Sequence, residues 1–158
     1  MLIVIADPEL GSKLGANIPV RPIRGQHCRF AGAAVEHVVR YDGRHLLPSD
    51  GLMVVGATVE DVGFDDKITP AARQDLTTFL GETVRPQMSF RQQRAGLRPK
   101  PKGGRPLIGP LEEYPQVFVA TGHYKNGIQL GPGTGEVVAR WIVDGDPGRE
   151  MGRFKPER

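Results

Sequence analysis

The hydrophobic pattern changes period several times along the chain, and each change marks an element. Residues 2–6, LIVIA, form a continuous apolar run, as in a short strand covered on both faces of a parallel sheet. Residues 19–30 alternate apolar and basic positions, the pattern of a half-exposed strand. Residues 36–41 and 45–47 flank Asp42-Gly43, a dipeptide suited to a tight hairpin turn. Another strand is predicted over 52–58, after the turn residues Ser49, Asp50 and Gly51. Thr69-Pro70 reads as an N-cap followed by proline at the first helical position. Ala72, Leu76, Phe79, Leu80 and Val84 then recur with a helical period, which predicts a helix. Residues 88–97 predict a strand and residues 100–104 a basic Pro/Gly loop. VFVA at 117–120 is a second wholly apolar strand. A last helix is predicted over 128–143, with Pro132 in its first turn and Gly145 at its end. The tail from Asp146 onward is charged and is expected to fray.

Composition narrows the class. With 39% hydrophobic and 25% charged residues in 158, the chain belongs among ordinary soluble globular domains. One cysteine, Cys28, excludes an internal disulfide and fits a reducing compartment, so a cytoplasmic location is expected. Cys28 has no CxxC partner and reads as a small buried side chain. No apolar run approaches the roughly 20 residues of a membrane span, and a signal peptide is not expected. His27, His37, His45 and His123 lack metal-ligand spacing, so no metal site is expected. Arg91, Arg94, Arg98, Lys100, Lys102 and Arg105 form a basic stretch with only Phe90 nearby. A nucleic-acid groove would interleave aromatic residues with the charges, so a solvated surface is favoured and a nucleic-acid module is the lesser alternative. GPGTGE at 131–136 places Glu136 where a dinucleotide fingerprint needs its third glycine, and no Walker loop is present.

One stretch carries more chemistry. In VFVATGHYKNGIQL, residues 117–130, a strand feeds a glycine-containing turn and the start of a helix. That arrangement suits an anionic or strongly dipolar ligand, because the free N–H groups of a helix start point at it. Taken alone, the turn reads rather as a plain strand-to-helix connection, with glycines for tight geometry. Four stretches in fixed order change that balance: PVRPIRGQ (19–26), HLLPSDGLMVVGATVEDVGFD (45–65), AGLRPKPKGGRPLIGP (95–110) and VFVATGHYKNGIQLGPGTGEVVARWI (117–142). Together they resemble the C-terminal part of the FAD-dependent amino-acid oxidases of the D-amino-acid oxidase superfamily, the glycine oxidases in particular.

The resemblance implies a fold and a set of roles. The fold class expected is α+β, a mixed and largely antiparallel sheet with one packed helix. A remnant of the FAD domain's parallel sheet, with its C-terminal helix, would accompany it. The implied divisions are 1–18 (remnant strand and linker), 19–115 (substrate-binding domain), 116–145 (strand, turn and helix at the flavin) and 146–158 (charged tail). Gly122, His123, Asn126, Gly127 and Ile128 would contact the flavin ring. Arg98, in GLRP, would grip the substrate carboxylate, where a planar charged fork pairs bidentately. His45 stands where these oxidases show a tyrosine, Lys125 where an arginine is common, and Val59 where a pocket residue lies. The implied cofactor is FAD and the implied substrate a small amino acid or amine. The family's GxGxxG half is not encoded in this sequence, which points to a separate FAD-binding half or to self-association. Strands 2–6 and 117–120 and the helix bearing Val137, Val138, Trp141 and Ile142 would then be left bare. An inactive orphan fragment is the alternative.

Overall fold

The computed structural model describes residues 2–5, 17–32, 34–84 and 88–156. The strands are β1 (Leu2–Ile5), β2 (Val20–Ala31), β3 (Val39–Tyr41), β4 (Arg44–Ser49), β5 (Leu52–Gly56), β6 (Phe90–Pro101), β7 (Leu107–Pro110) and β8 (Val117–Thr121). The helices are α1 (Pro70–Thr83) and α2 (Gly127–Asp144), followed by a short 3-10 turn over Gly152–Phe154. Two compact units form. One is Ile23–Leu97, and the other joins Met1–Pro22 to Arg98–Arg158.

The unit Ile23–Leu97 is organised by the five-stranded sheet, in the order β3-β4-β5-β2-β6. Asp42 and Gly43 turn β3 into β4 with positive φ at both residues, and Tyr41 pairs with Arg44. Asp50 and Gly51 do the same between β4 and β5, where Ser49 pairs with Leu52. Strand alternation puts Cys28, Phe30, Leu46, Met53 and Val55 on one face, where they pack against Leu76, Phe79 and Leu80 of α1. Helix α1 starts as its sequence suggests: the Thr69 hydroxyl accepts a 3.2 Å hydrogen bond from the Ala72 N–H, and Pro70 follows the cap.

A polar network fixes the irregular segment between β5 and α1. The buried Arg24 guanidinium donates to Glu60 at 2.6 Å and to Asp65 at 2.7 Å, and also to the Lys67 carbonyl. Gln26, with no exposed surface, donates to Glu60 and to the Thr69 hydroxyl and accepts from the Thr69 N–H and from Gln93. Burial pushes the Glu60 carboxyl up, but hydrogen bonds from Thr58, Gln26 and Arg24 outweigh it and leave the group below its ordinary range.

The other unit carries a three-stranded sheet, β1-β8-β7. β1 runs parallel to β8, Leu2 opposite Val117, and β7 runs antiparallel to it, Leu107 opposite Thr121. β8 is apolar from Val117 to Ala120 because both of its faces are covered. Phe118 and Ala120 pack with Ile108, Val137, Val138 and Met151. Val117 and Val119 pack with Leu107 and Leu111, flanked by Ile18 and Val20.

Several expectations change. β7 falls in a Pro/Gly-rich stretch that carries no strand periodicity. Lys100 and Pro101 belong to β6 rather than to a loop. Val137 and Val138 are covered within the chain, with Trp141 edge-on to Phe118, so this helix face is not bare. The tail does not fray throughout: Met151 is 8% exposed and Pro156 is buried. Ala6 and the ADPEL segment lie outside the described residues. The α+β class, with its antiparallel sheet and helices, matches the expectation.

Leu76 is fully buried in the α1 core. Leu76→Ala is expected to lower the unfolding free energy by about 3–5 kcal/mol in urea titrations. Arg24→Ala is expected to lower the midpoint as well, because it strands two carboxylates. A midpoint unchanged in either variant would contradict this account of the fold.

Candidate active site

The strand-turn-helix at 117–144 is the most distinctive local geometry. Thr121 ends β8, and Gly122 turns the chain with φ +79. A Cβ at Gly122 would stand 3.0 Å from the Pro101 side chain, so only glycine both adopts this conformation and fits. Tyr124 also has positive φ, at 52°. Asn126 precedes α2 without a side-chain cap, and the first turn holds no acidic residue. The opening N–H groups of α2 are therefore not claimed by a capping side chain. Residues 125–130 are exposed, and Ile128 is 96% exposed despite its apolar side chain.

A concavity of about 510 Å³ opens beside this turn, lined among others by Pro99, His123, Tyr124, Gly127, Thr134 and Val138. Gly127, Gly131 and Gly135 recur every fourth residue on that face of α2 and keep it flat. The ring nitrogen Nε2 of His123 lies 2.9 Å from the Thr134 hydroxyl, which ties the turn to the helix. Burial pushes the His123 imidazole below its ordinary pKa. The ammonium groups of Lys100 and Lys125 stand 5.6 and 5.5 Å from the centre of the Tyr124 ring, placing two positive charges beside a residue of the concavity wall.

The expected flavin contacts, Gly122, His123, Asn126, Gly127 and Ile128, are contiguous on this turn. Lys125 is exposed among them, and Arg98 lies half-buried in β6 within the same compact unit. His45 and Val59 belong to the unit Ile23–Leu97. His45 is half-buried in β4 and Val59 is 52% exposed. The sequence reading did not single out His27, whose pairing partner Gly56 also pairs with His45, nor the Thr134 contact to His123. Neither has a local signal, since each depends on register or on helix phase. Among the described residues no group of three His, Cys, Asp or Glu side chains could hold a metal, and no helix is long and apolar enough to cross a membrane.

A flat aromatic group with one polar edge fits this geometry on two counts. The uncapped helix start offers donors, and the glycine-floored concavity beside it is apolar and open.

Comparison with known proteins gives the turn a context. The profile of a family described as FAD dependent oxidoreductase matches residues 4–141. Glycine oxidase from Pseudomonas aeruginosa is 35% identical over 145 residues, which is 88% of this chain and 40% of the relative. The crystal structure of glycine oxidase from Geobacillus kaustophilus superposes with a TM-score of 0.87 at 27% identity, covering 94% of this chain and 42% of that one. The structure of iminodiacetate oxidase from a Chelativorans species gives a TM-score of 0.84 at 26% identity, covering 98% and 45%. The chain thus spans about two fifths of the length of the curated relative it matches.

Gly122→Ala is expected to cost about 1–3 kcal/mol, because it forces an L side chain into the left-handed region against Pro101. His123 binds its proton less readily folded than unfolded. As pH falls through about 6.5 the unfolded chain takes up that proton first, so stability is lost on that descent. In urea titrations at pH 7.5 and 5.5, the wild type is expected to lose more stability than His123→Gln. Equal losses would contradict the burial assigned to this imidazole.

Proposed function

Since the chain belongs to the family of FAD-dependent oxidoreductases, we propose that it forms the substrate-binding side of an amino-acid oxidase of the glycine oxidase kind. The observation that carries the reading is the uncapped start of α2 at the end of an apolar strand, within a family match spanning residues 4–141. In this reading residues 19–115 form the substrate-binding domain. Residues 1–18 and 116–145 belong with the FAD domain's parallel sheet, and 146–158 form its tail. The phosphate-binding GxGxxG portion comes from polypeptide other than these residues, as a separate half or as further length of the same protein.

Each residue has a definite task. The N–H groups that open α2, with the backbone of Gly122, His123, Asn126, Gly127 and Ile128, hold the polar edge of the ring and favour negative charge there. His123, kept neutral by burial, holds the turn to Thr134 without adding a positive charge. Arg98 pairs bidentately with the substrate carboxylate and so orients the α-carbon. The substrate is a small amino acid bound as the free amine, and His45, Val59 and Lys125 are the other residues that the resemblance assigns to substrate binding. Bound FAD supplies the acceptor for the hydride that leaves the α-carbon. No general base in the chain is required.

Mixing the purified chain with the FAD-binding half of a close relative tests this. The mixture is expected to retain flavin through gel filtration and to release peroxide when glycine or sarcosine is added; the chain alone retains little flavin. In that complex Arg98→Ala is expected to lower kcat/KM about 30- to 5,000-fold, since it leaves a carboxylate without its partner. His45→Tyr is expected to keep or raise activity. Equal turnover with and without Arg98 refutes the site assignment. If no FAD-binding half ever confers flavin retention, an inactive fragment is the correct reading.

A further inference from the structure

The cations around the turn at 122–126 lack the partners that cations elsewhere in the chain have. Arg24, Arg44 and Arg149 each meet a carboxylate. Residues 98–111 and 114–135, by contrast, hold Arg98, Lys100, Lys102, Arg105 and Lys125 and no Asp or Glu. Two of these charges gather at one ring: the ammonium groups of Lys100 and Lys125 stand 5.6 and 5.5 Å from the centre of Tyr124. They lie no farther apart than the sum of those distances, and among the described residues neither makes an ion pair. Lys125 also immediately precedes Asn126, the N-cap residue of α2, whose first turn carries no acidic residue. The start of a helix is itself positive, so a lysine there is repelled rather than stabilised. Lys100, Lys125 and the helix start thus converge with no negative group to offset them, and an anion arriving there relieves the repulsion.

Lys100 also stands in register with Arg98. The two lie two residues apart in β6, so they share one face of the strand with Cα atoms about 6.6 Å apart. That is about the span between the two acidic groups of a short dicarboxylate. The alternate residues face the other way: Pro101 lies against Gly122, and Pro99 lines the concavity. Arg98, Lys100, Tyr124 and Lys125 all belong to the unit that joins Met1–Pro22 to Arg98–Arg158. We propose that Lys100 and Lys125, gathered at the Tyr124 ring, form an anion subsite that receives the second acidic group of a dianionic amine substrate. This rests on the oxidase reading above, in which Arg98 takes the first carboxylate. Arg98 grips with a planar fork, whereas the two ammonium groups are point charges on flexible stems and accept an acidic group in several orientations.

Iminodiacetate and its monoamide form a matched pair for the test, since they have nearly the same shape and differ in the charge of one arm. In amide NMR titrations of the purified chain at low salt, iminodiacetate is expected to bind about fivefold more tightly than the monoamide. The resonances of Lys100, Tyr124 and Lys125 are expected to move further with iminodiacetate. Lys100→Gln is expected to remove most of the preference while leaving the affinity for the monoamide unchanged, and Lys100→Arg to keep it. Combining Lys100→Gln with Lys125→Gln is expected to bring the ratio to about one. If the double variant does not fold, each single variant is expected to lower the ratio about twofold. Equal affinities in the wild type, or a preference that survives these substitutions, would overturn the subsite. So would a single-stranded oligonucleotide that moves the same resonances while the two small ligands bind alike. Arg98→Ala reads the oxidase assignment separately, and is expected to weaken both small ligands alike. If it weakens neither while Lys100 still sets the ratio, the subsite stands and the oxidase reading falls.

Discussion

The contact between the Arg24 guanidinium and the Glu60 carboxylate holds together a segment that has almost no regular structure of its own. Between β5 and α1 the backbone forms little more than a bridge between Arg24 and Glu60. Its position comes from side chains instead. Arg24 reaches Glu60, Asp65 and the Lys67 carbonyl, and Gln26 reaches Glu60 and Thr69. Thr69 in turn caps α1, and α1 covers Cys28, Phe30, Met53 and Val55. The apolar core of this unit thus hangs on a polar anchor. Burying such groups is unfavourable unless every partner is in place. Here the partners are in place, since Gln26 has both its amide nitrogen and its carbonyl oxygen occupied.

How much of this could be read from residues alone follows from the range of each interaction. Asp42-Gly43 and Thr69-Pro70 act locally, and both gave the elements their chemistry demands. VFVA is legible because a strand covered on both faces has no polar positions to interrupt it. LIGP is not, because a four-residue run that itself ends in proline shows no period and becomes a strand only through pairing with β8. Arg24 looked like one basic position in an alternating strand, and its partners lie 36 and 41 residues away. The turn at 122–128 was visible because its residues are consecutive. His27 was not, because its relation to His45 passes through a third strand.

Helix α2 has two characters along its length. Its second half is an ordinary packed helix, with Val137 and Val138 buried and Gly145 ending it in the left-handed conformation. Its first half offers Ile128 and Leu130 to solvent and carries Pro132, which has no N–H to give the Ile128 carbonyl. A helix start with free donors on one side and a missing bond on the other is held in place by its surroundings. His123, through Thr134, is one such support.

The division of the chain also bears on the order in which it assembles during synthesis. The unit Ile23–Leu97 is one continuous run, so its core residues emerge from the ribosome together and need no later sequence. The other unit is sewn from both ends: Leu2 waits for Val117, and the cluster around Phe118 closes only when Met151 has arrived. Long-range closures of this kind are slow and leave apolar surface open meanwhile. For this half of the protein, apolar surface stays open until residues near both ends of the sequence have been made.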